Sequence, residues 1–334
     1  MKKSISPGVR PTRITITEVG TIPVVSYSNG VNEHTSCIGC TDTPCIKYSE
    51  QEISISGLSS LSFDQNHNTC PTNAIGLTKE GAEPTIDTNS CINCGVCASR
   101  CPAGAIYLSH SGKMNIASGP RKCLQQTNGS TDKTAAVLST TPWSKSTIRD
   151  DDKIAQSFTT FYEKASSASG SRIHNLLSRN LLIELGLKAG ASRTGDVNNR
   201  MDVFVSVAGT SIATEVEISN AQIDAPRSVL DSMAVLHGRH KIAKKQIDGL
   251  IIVGELPNAR SEFWTVLSDI ECVLKIKIKV LTTTAAVILV HNRVKISNIQ
   301  ELDTPISIRR LFETTTGRKL GIKPGSYSAF EAGK

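Results

Sequence analysis

Residues 91–106 read CINCGVCASRCPAGAI. Within it Cys91, Cys94, Cys97 and Cys101 follow one another at spacings of x2, x2 and x3, and Pro102 comes directly after the last. Four soft thiols on one short loop can enclose an iron–sulfide core, and the proline turns the chain away from it. An imperfect copy lies upstream: Cys37, Cys40 and Cys45, then Cys70-Pro71 followed by TNAI. C-P-x-x-A-I is thus an internal repeat. A pair of zinc sites would also need eight thiols, but zinc motifs use two separate pairs rather than a run of this spacing ending in proline.

The region from about residue 34 to 110 resembles a two-cluster bacterial-type ferredoxin domain. In that family the fourth cysteine of each motif binds the other cluster. The resemblance therefore implies two 4Fe-4S clusters, one held by Cys37, Cys40, Cys45 and Cys101 and the other by Cys91, Cys94, Cys97 and Cys70. The first motif departs from the family pattern by two extra residues before Cys45 and by a long separation before Cys70.

Nine of the ten cysteines precede residue 124 and only Cys272 lies beyond it, which is not the distribution of a disulfide scaffold. The first thirty residues contain no apolar run ending in a small-residue cleavage site, so a cytoplasmic location with reduced thiols is expected. The longest apolar run, residues 285–290, is too short for a membrane span. Cys123 and Cys272 fit neither motif and read as small buried hydrophobes, and His34 and His67 as loop or surface residues.

The net charge is +7. Residues 1–125 carry 10 basic and 9 acidic side chains against 27 and 21 in residues 126–334, so the excess belongs to the second region. A stretch rich in Ser, Thr, Gly and Asn at residues 125–147 reads as a linker. The expected organisation is a ferredoxin-like domain over residues 1–124, a linker over 125–150 and a further domain over 151–334.

Downstream of the linker, helix and strand signals alternate. Helices are expected at residues 171–187, 227–245 and 262–274, with a last one at 306–314. A hairpin is expected from 201–208 and 212–219, and further strands at 249–253, 277–281 and 285–291. This order implies a mixed α/β sheet domain. If Gly209-Thr210 forms the hairpin turn, Asp202 stands opposite Glu217 and Phe204 opposite Glu215, which places Asp202, Glu215 and Glu217 on one face. Three carboxylates on one patch repel unless protons or a divalent cation compensate, and oxygen ligands suit Mg2+ or Mn2+. On the preceding helix Glu184 continues the stripe of Ile173, Leu176, Leu177 and Leu181, a costly place for an unpaired carboxylate.

Asp202 followed by Glu215-Val216-Glu217, in helix–strand–strand–helix–strand order, resembles the PD-(D/E)XK restriction-endonuclease-like nucleases over about residues 170–285. The likeness is to a branch in which a second Glu replaces the usual Lys. Met201 stands where the family more often has Pro. The resemblance implies that Asp202 and Glu215 bind Mg2+ with the Val216 carbonyl, that Glu184 completes or supports the site, and that Glu217 orients or deprotonates the attacking water. Arg239, Lys241, Lys244 and Lys245 could then meet DNA phosphates. The fold class expected is a small α+β ferredoxin-like iron–sulfur domain followed by a mixed α/β restriction-endonuclease-like domain. The function expected is a Mg2+-dependent endodeoxyribonuclease in restriction or anti-phage defence, acting on DNA as a homodimer. The alternatives are a ferredoxin-type electron carrier that docks a redox partner and a redox-switched nucleic-acid-binding module.

Overall fold

The structure, a computed structural model, describes residues 14–19, 22–27, 43–55, 61–77, 84–101, 106–108, 112–116, 151–168, 172–196, 201–218, 222–276, 278–297 and 299–302. The expected linker, the expected helix at 306–314, and Cys37, Cys40, Cys123 and His34 lie outside these residues. The chain divides into two compact units, the first comprising Met1–Tyr48 and Asn68–Tyr162, the second Ser49–His67 and Glu163–Lys334.

The first unit is built from short antiparallel pairs: β1 (Ile14–Val19) with β2 (Ile22–Tyr27), β3 (Ile75–Leu77) with β4 (Pro84–Ile86), and β5 (Ile106–Leu108) with β6 (Met114–Ile116). β3 to β6 have only three residues each, so the area they bury is small. Ile75, Ile92, Val96, Ile106, Leu108 and Met114 form a modest core, joined by Ile154 and Phe158 from the N-terminal part of a long helix, Asp151–Ala168. A short helix, Val96–Arg100, carries Cys97.

Ser49–His67, the long separation between Cys45 and Cys70, belongs to the second unit, a crossing that the expected boundaries at 124 and 151 do not contain. At the neck of this excursion Lys47 and Asn68 form an antiparallel bridge, and Thr69 donates from N–H to the Ile46 carbonyl at 3.0 Å and from its hydroxyl to the Cys45 carbonyl. The excursion includes a one-turn helix, Glu50–Ile53, closed by a Ser49–Glu52 capping box. Beyond it Phe63 bridges to Ser192, and Asp64 N–H donates to the Ala191 carbonyl at 2.8 Å. Asp64, buried, holds Arg172 through both carboxylate oxygens at 2.9 and 3.1 Å. The segment thus extends the edge of the second unit's sheet.

That sheet has five strands in the order β11 (Ile278–Thr282), β10 (Ile247–Val253), β9 (Thr210–Glu217), β8 (Val203–Val207) and β7 (Lys188–Ala191). The β7–β8 and β8–β9 pairs are antiparallel, whereas β9, β10 and β11 run parallel. Phe204, Ala213, Ile251, Val253 and Val280 on one face pack with Val229, Met233 and Leu236 of the helix Ala225–Gly238 and Phe263 and Ile270 of the helix Glu262–Leu274. Ile55 and Phe63 of the excursion join the same cluster. The mixed α/β sheet expected for this region is present.

Three local expectations change. Residues 285–291 are not a strand but most of a helix, Thr283–His291. Eight consecutive buried residues carry no period that separates a buried strand from a buried helix, and the Thr282 side chain accepts from Ala285 N–H at 3.1 Å to start the helix. The helix expected over 227–245 ends at Gly238, and Lys244 lies in a separate turn. The hairpin turn is Ala208-Gly209, both with positive φ (47° and 81°), as a type I′ turn requires. Val207 therefore pairs with Thr210 and Val203 with Thr214, two residues away from the expected register. A shift of two preserves which residues share a face.

Candidate functional site

One cavity of the first unit is lined by Cys70, Cys91, Cys94 and Cys97, with Ile75, Ile86, Ile92, Val96 and Met114 between them. Three of the thiols come from the loop that ends in the helix Val96–Arg100, and the fourth from the other motif. Asn93 fixes the loop: with φ at 57° it sends Nδ2 to the Gly112 carbonyl and Ser157 Oγ, each at 2.9 Å, and accepts Met114 N–H at 3.2 Å. Gly95, also left-handed at 78°, reverses the chain into the helix.

Burial, reinforced by the other cysteines, pushes the Cys91 thiol up to about 11 and those of Cys94 and Cys97 well above the ordinary range. A buried, mutually repelling set of thiolates is stable only around positive charge, and iron ligation supplies it while releasing the protons. The donor set fits a 4Fe-4S cluster in which Cys91, Cys94, Cys97 and Cys70 would each bind one iron and the group would accept or donate one electron. Cys45 and Cys101, two members of the other expected ligand set, are buried, and Cys45 is near enough to Cys97 to act on its charge. Arg100, next to Cys101, lies over the Tyr48 ring at 4.1 Å and donates to the Pro44 carbonyl beside Cys45. Cys272 is exposed on the helix Glu262–Leu274 rather than buried, because its place falls on the outer face of that helix.

The second unit holds the acidic residues. Asp202 immediately precedes β8, and continuing the β8–β9 register by one step sets it beside Glu215, not Glu217. Its carboxylate is held at both oxygens: Oδ2 accepts Val216 N–H at 3.0 Å and Oδ1 accepts Asn175 Nδ2 at 2.9 Å. Burial raises the Asp202 carboxyl against these two hydrogen bonds. Glu215 is pushed up to about 8, first by burial and then by the charges of Asp202 and Glu217, and its buried Oε2 has no hydrogen-bond partner. Burial lowers His174, while the Glu217 charge acts on it in the opposite direction. Among the described residues no three His, Cys, Asp or Glu side chains close around a single-ion position. The orphaned Glu215 oxygen and its crowded charge nonetheless fit a divalent cation, with Asp202 and Glu215 as the residues that would hold it.

Glu184 and the four basic residues stand elsewhere. Glu184 is buried against Lys295, with Oε2 4.0 Å from Nζ and its carbonyl accepting from the same amine. It lies nine residues from Asn175, about 13 Å along the helix Arg172–Glu184. The helix therefore brings Asn175 to Asp202, and sequence reasoning missed it because a neutral amide in a polar stretch carries no ligand signal. Arg239, Lys241, Lys244 and Lys245 precede β10, whereas Glu217 pairs with its last residue, so the basic group and the acids are about 20 Å apart along the strand. All four are exposed, and Lys241 donates to the Gly238 carbonyl at 2.8 Å, closing the helix end.

Residues 84–107 match the family of 4Fe-4S binding domains, Fer4. This part of the chain, with the cysteine run it contains, is a ferredoxin-type iron–sulfur binding region. The chain is also similar to a protein of Pyrococcus furiosus named as an aliphatic sulfonate oxidoreductase, polyferredoxin-like subunit. The two are 26% identical over 113 residues, 32% of this chain and 53% of the relative, so the chain spans about half the length of that curated protein. No solved structure matches the chain.

Proposed function

We propose that the first unit carries two 4Fe-4S clusters and relays single electrons to or from a redox partner. The observation that carries this reading is the cavity in which Cys70 of the first motif meets Cys91, Cys94 and Cys97 of the second. Ligand exchange between motifs ties both clusters to the same short segments, which suits electron passage between them. The likeness to a polyferredoxin-like subunit of an oxidoreductase supports it. The test is an anaerobic preparation assayed for iron and sulfide and titrated with a low-potential reductant. Two reversible one-electron steps are expected, and a protein that binds zinc but no sulfide would end the proposal.

A second reading concerns the other unit and is favoured by the orphaned, proton-holding Glu215 beside Asp202. In this reading the unit is a Mg2+- or Mn2+-dependent endodeoxyribonuclease. Asp202 and Glu215 would hold the ion, Glu217 would stand as the proton acceptor beside it, and Asn175 keeps Asp202 in place. Bound there, the ion would supply water activation and charge neutralisation at the phosphate. The support is the placement of the three acids together, Asp202 just before β8 and Glu215 and Glu217 at the C-terminal end of the adjacent β9. Such a unit would serve restriction or other defence against foreign DNA and would cut both strands as a homodimer. Cleavage of plasmid DNA with Mn2+ that disappears in Glu215→Ala is the expected result; cleavage that persists in that variant argues against it.

A further inference from the structure

We propose that the Thr72 hydroxyl sets the reduction potential of the cluster that Cys70 serves and so makes the two clusters of the relay unequal; this rests on the electron-transfer reading. After Cys70-Pro71 the chain turns tightly. Asn73 N–H donates to the Cys70 carbonyl at 3.2 Å, and Asn73, at a φ of 56°, is held by Asn68 Nδ2 at 2.7 Å. The turn carries two donors back over the sulfur: Ala74 N–H lies 3.1 Å from Cys70 Sγ and Thr72 Oγ1 3.3 Å from it.

A thiolate bound to iron has no proton, so in the cluster-loaded protein the hydroxyl is the donor. Each hydrogen bond to a ligand sulfur offsets part of the negative charge of the cluster. The reduced state, with one more electron, gains more from this than the oxidised state, and the potential rises. Of the two donors only the hydroxyl belongs to a side chain. The second copy of the repeat reads C-P-A-G-A-I, with Ala103 at the place of Thr72, so the sequence provides no hydroxyl to follow Cys101. The two hexapeptides differ at two positions, Thr72 against Ala103 and Asn73 against Gly104, and only the first of these brings a side-chain hydroxyl to the sulfur.

The test is an EPR-monitored redox titration of the reconstituted holoprotein and of Thr72→Val, Thr72→Ala and Thr72→Ser, each with its iron and sulfide measured. Thr72→Val removes the hydroxyl at nearly constant shape. It is expected to lower the reduced-to-oxidised ratio of one cluster several-fold at a fixed potential near its midpoint, where tenfold corresponds to 59 mV for one electron. The other cluster is expected to stay unchanged. Thr72→Ala, which cannot crowd the turn, gives the same shift, and Thr72→Ser restores the wild-type value. Equal midpoints in wild type, Thr72→Val and Thr72→Ala overturn the proposal, as does a joint shift of both clusters or no recovery in Thr72→Ser. Failure of the underlying reading looks different: the wild-type protein would then show no reversible one-electron steps, or would bind zinc and no sulfide.

Discussion

The thiol cavity and the carboxylate cluster differ in how the chain builds them. Cys91, Cys94 and Cys97 are fixed by seven consecutive residues whose spacing is itself the ligand geometry, with Asn93 and Gly95 turning the loop. Asp202 and Glu215 are thirteen residues apart and meet only because β8 and β9 pair in one register, and Asn175 reaches Asp202 from a helix earlier still. A site made of local spacing survives errors in the surrounding fold. A site made of pairing depends on the whole sheet.

The largest effect expected from breaking this contrast is at the cavity. Cys97→Ser should remove one cluster outright, seen as lost iron, sulfide and visible absorbance, while near-native far-UV circular dichroism of the second unit persists. Next comes the carboxylate cluster. If the nuclease reading holds, Asp202→Ala should lower metal-dependent DNA cleavage by more than the about 10–100-fold typical of losing an outer partner, and Asn175→Leu by about that amount, with Mn2+ affinity falling in parallel. Unchanged Mn2+ binding in Asp202→Ala would remove Asp202 from the site.

A third change tests the excursion. The Phe63 ring lies 6.3 Å from that of Phe204, and a Cβ on Gly190 would stand 2.7 Å from Phe63 Cδ1. Phe63→Ala should therefore destabilise the second unit by about 1–3 kcal/mol, less than the about 3–5 of a fully buried Phe, and Gly190→Ala by a similar amount through overpacking. Thermal unfolding measures both, and an unchanged Tm would place the excursion outside the cooperative unit.

A smaller effect is expected from pH. Glu215 holds its proton up to about 8 when folded and to about 4.5 when unfolded. Between these values the folded state binds more protons, so the stability of metal-free protein should fall as pH rises through this window. Excess Mn2+, binding the deprotonated carboxylate, should flatten or reverse that slope in a Tm series. The smallest is Lys241→Gln, which removes a contact at the end of the helix Ala225–Gly238 and should cost only tenths of a kcal/mol. Under the nuclease reading, combining it with neutral substitutions at Arg239, Lys244 and Lys245 should weaken DNA binding in a salt-dependent manner and leave cleavage at saturating DNA unchanged.

Much of this was legible in the chain. The repeated C-P-x-x-A-I and the x2-x2-x3 run determined the iron–sulfur region, because ligand spacing and turn residues act over a few bonds. The face shared by Asp202, Glu215 and Glu217 was also determined, since alternation along a strand survives a register shift of two. The helix Thr283–His291 was not, because residues buried on all sides lose the periodic signal that separates helix from strand. Only the tertiary structure decided that Glu184 turns to Lys295 while Asn175 meets Asp202, and that the basic residues lie at the opposite end of β10 from the acids. It alone gave the gap between Cys45 and Cys70 a role: Phe63 and Asp64 are apolar and acidic like many loop residues, and become an edge of the second unit only where β7 offers them unpaired backbone and Arg172 a charge. Local spacing is written in sequence order, whereas partners across a fold are chosen by burial and pairing that no single segment contains.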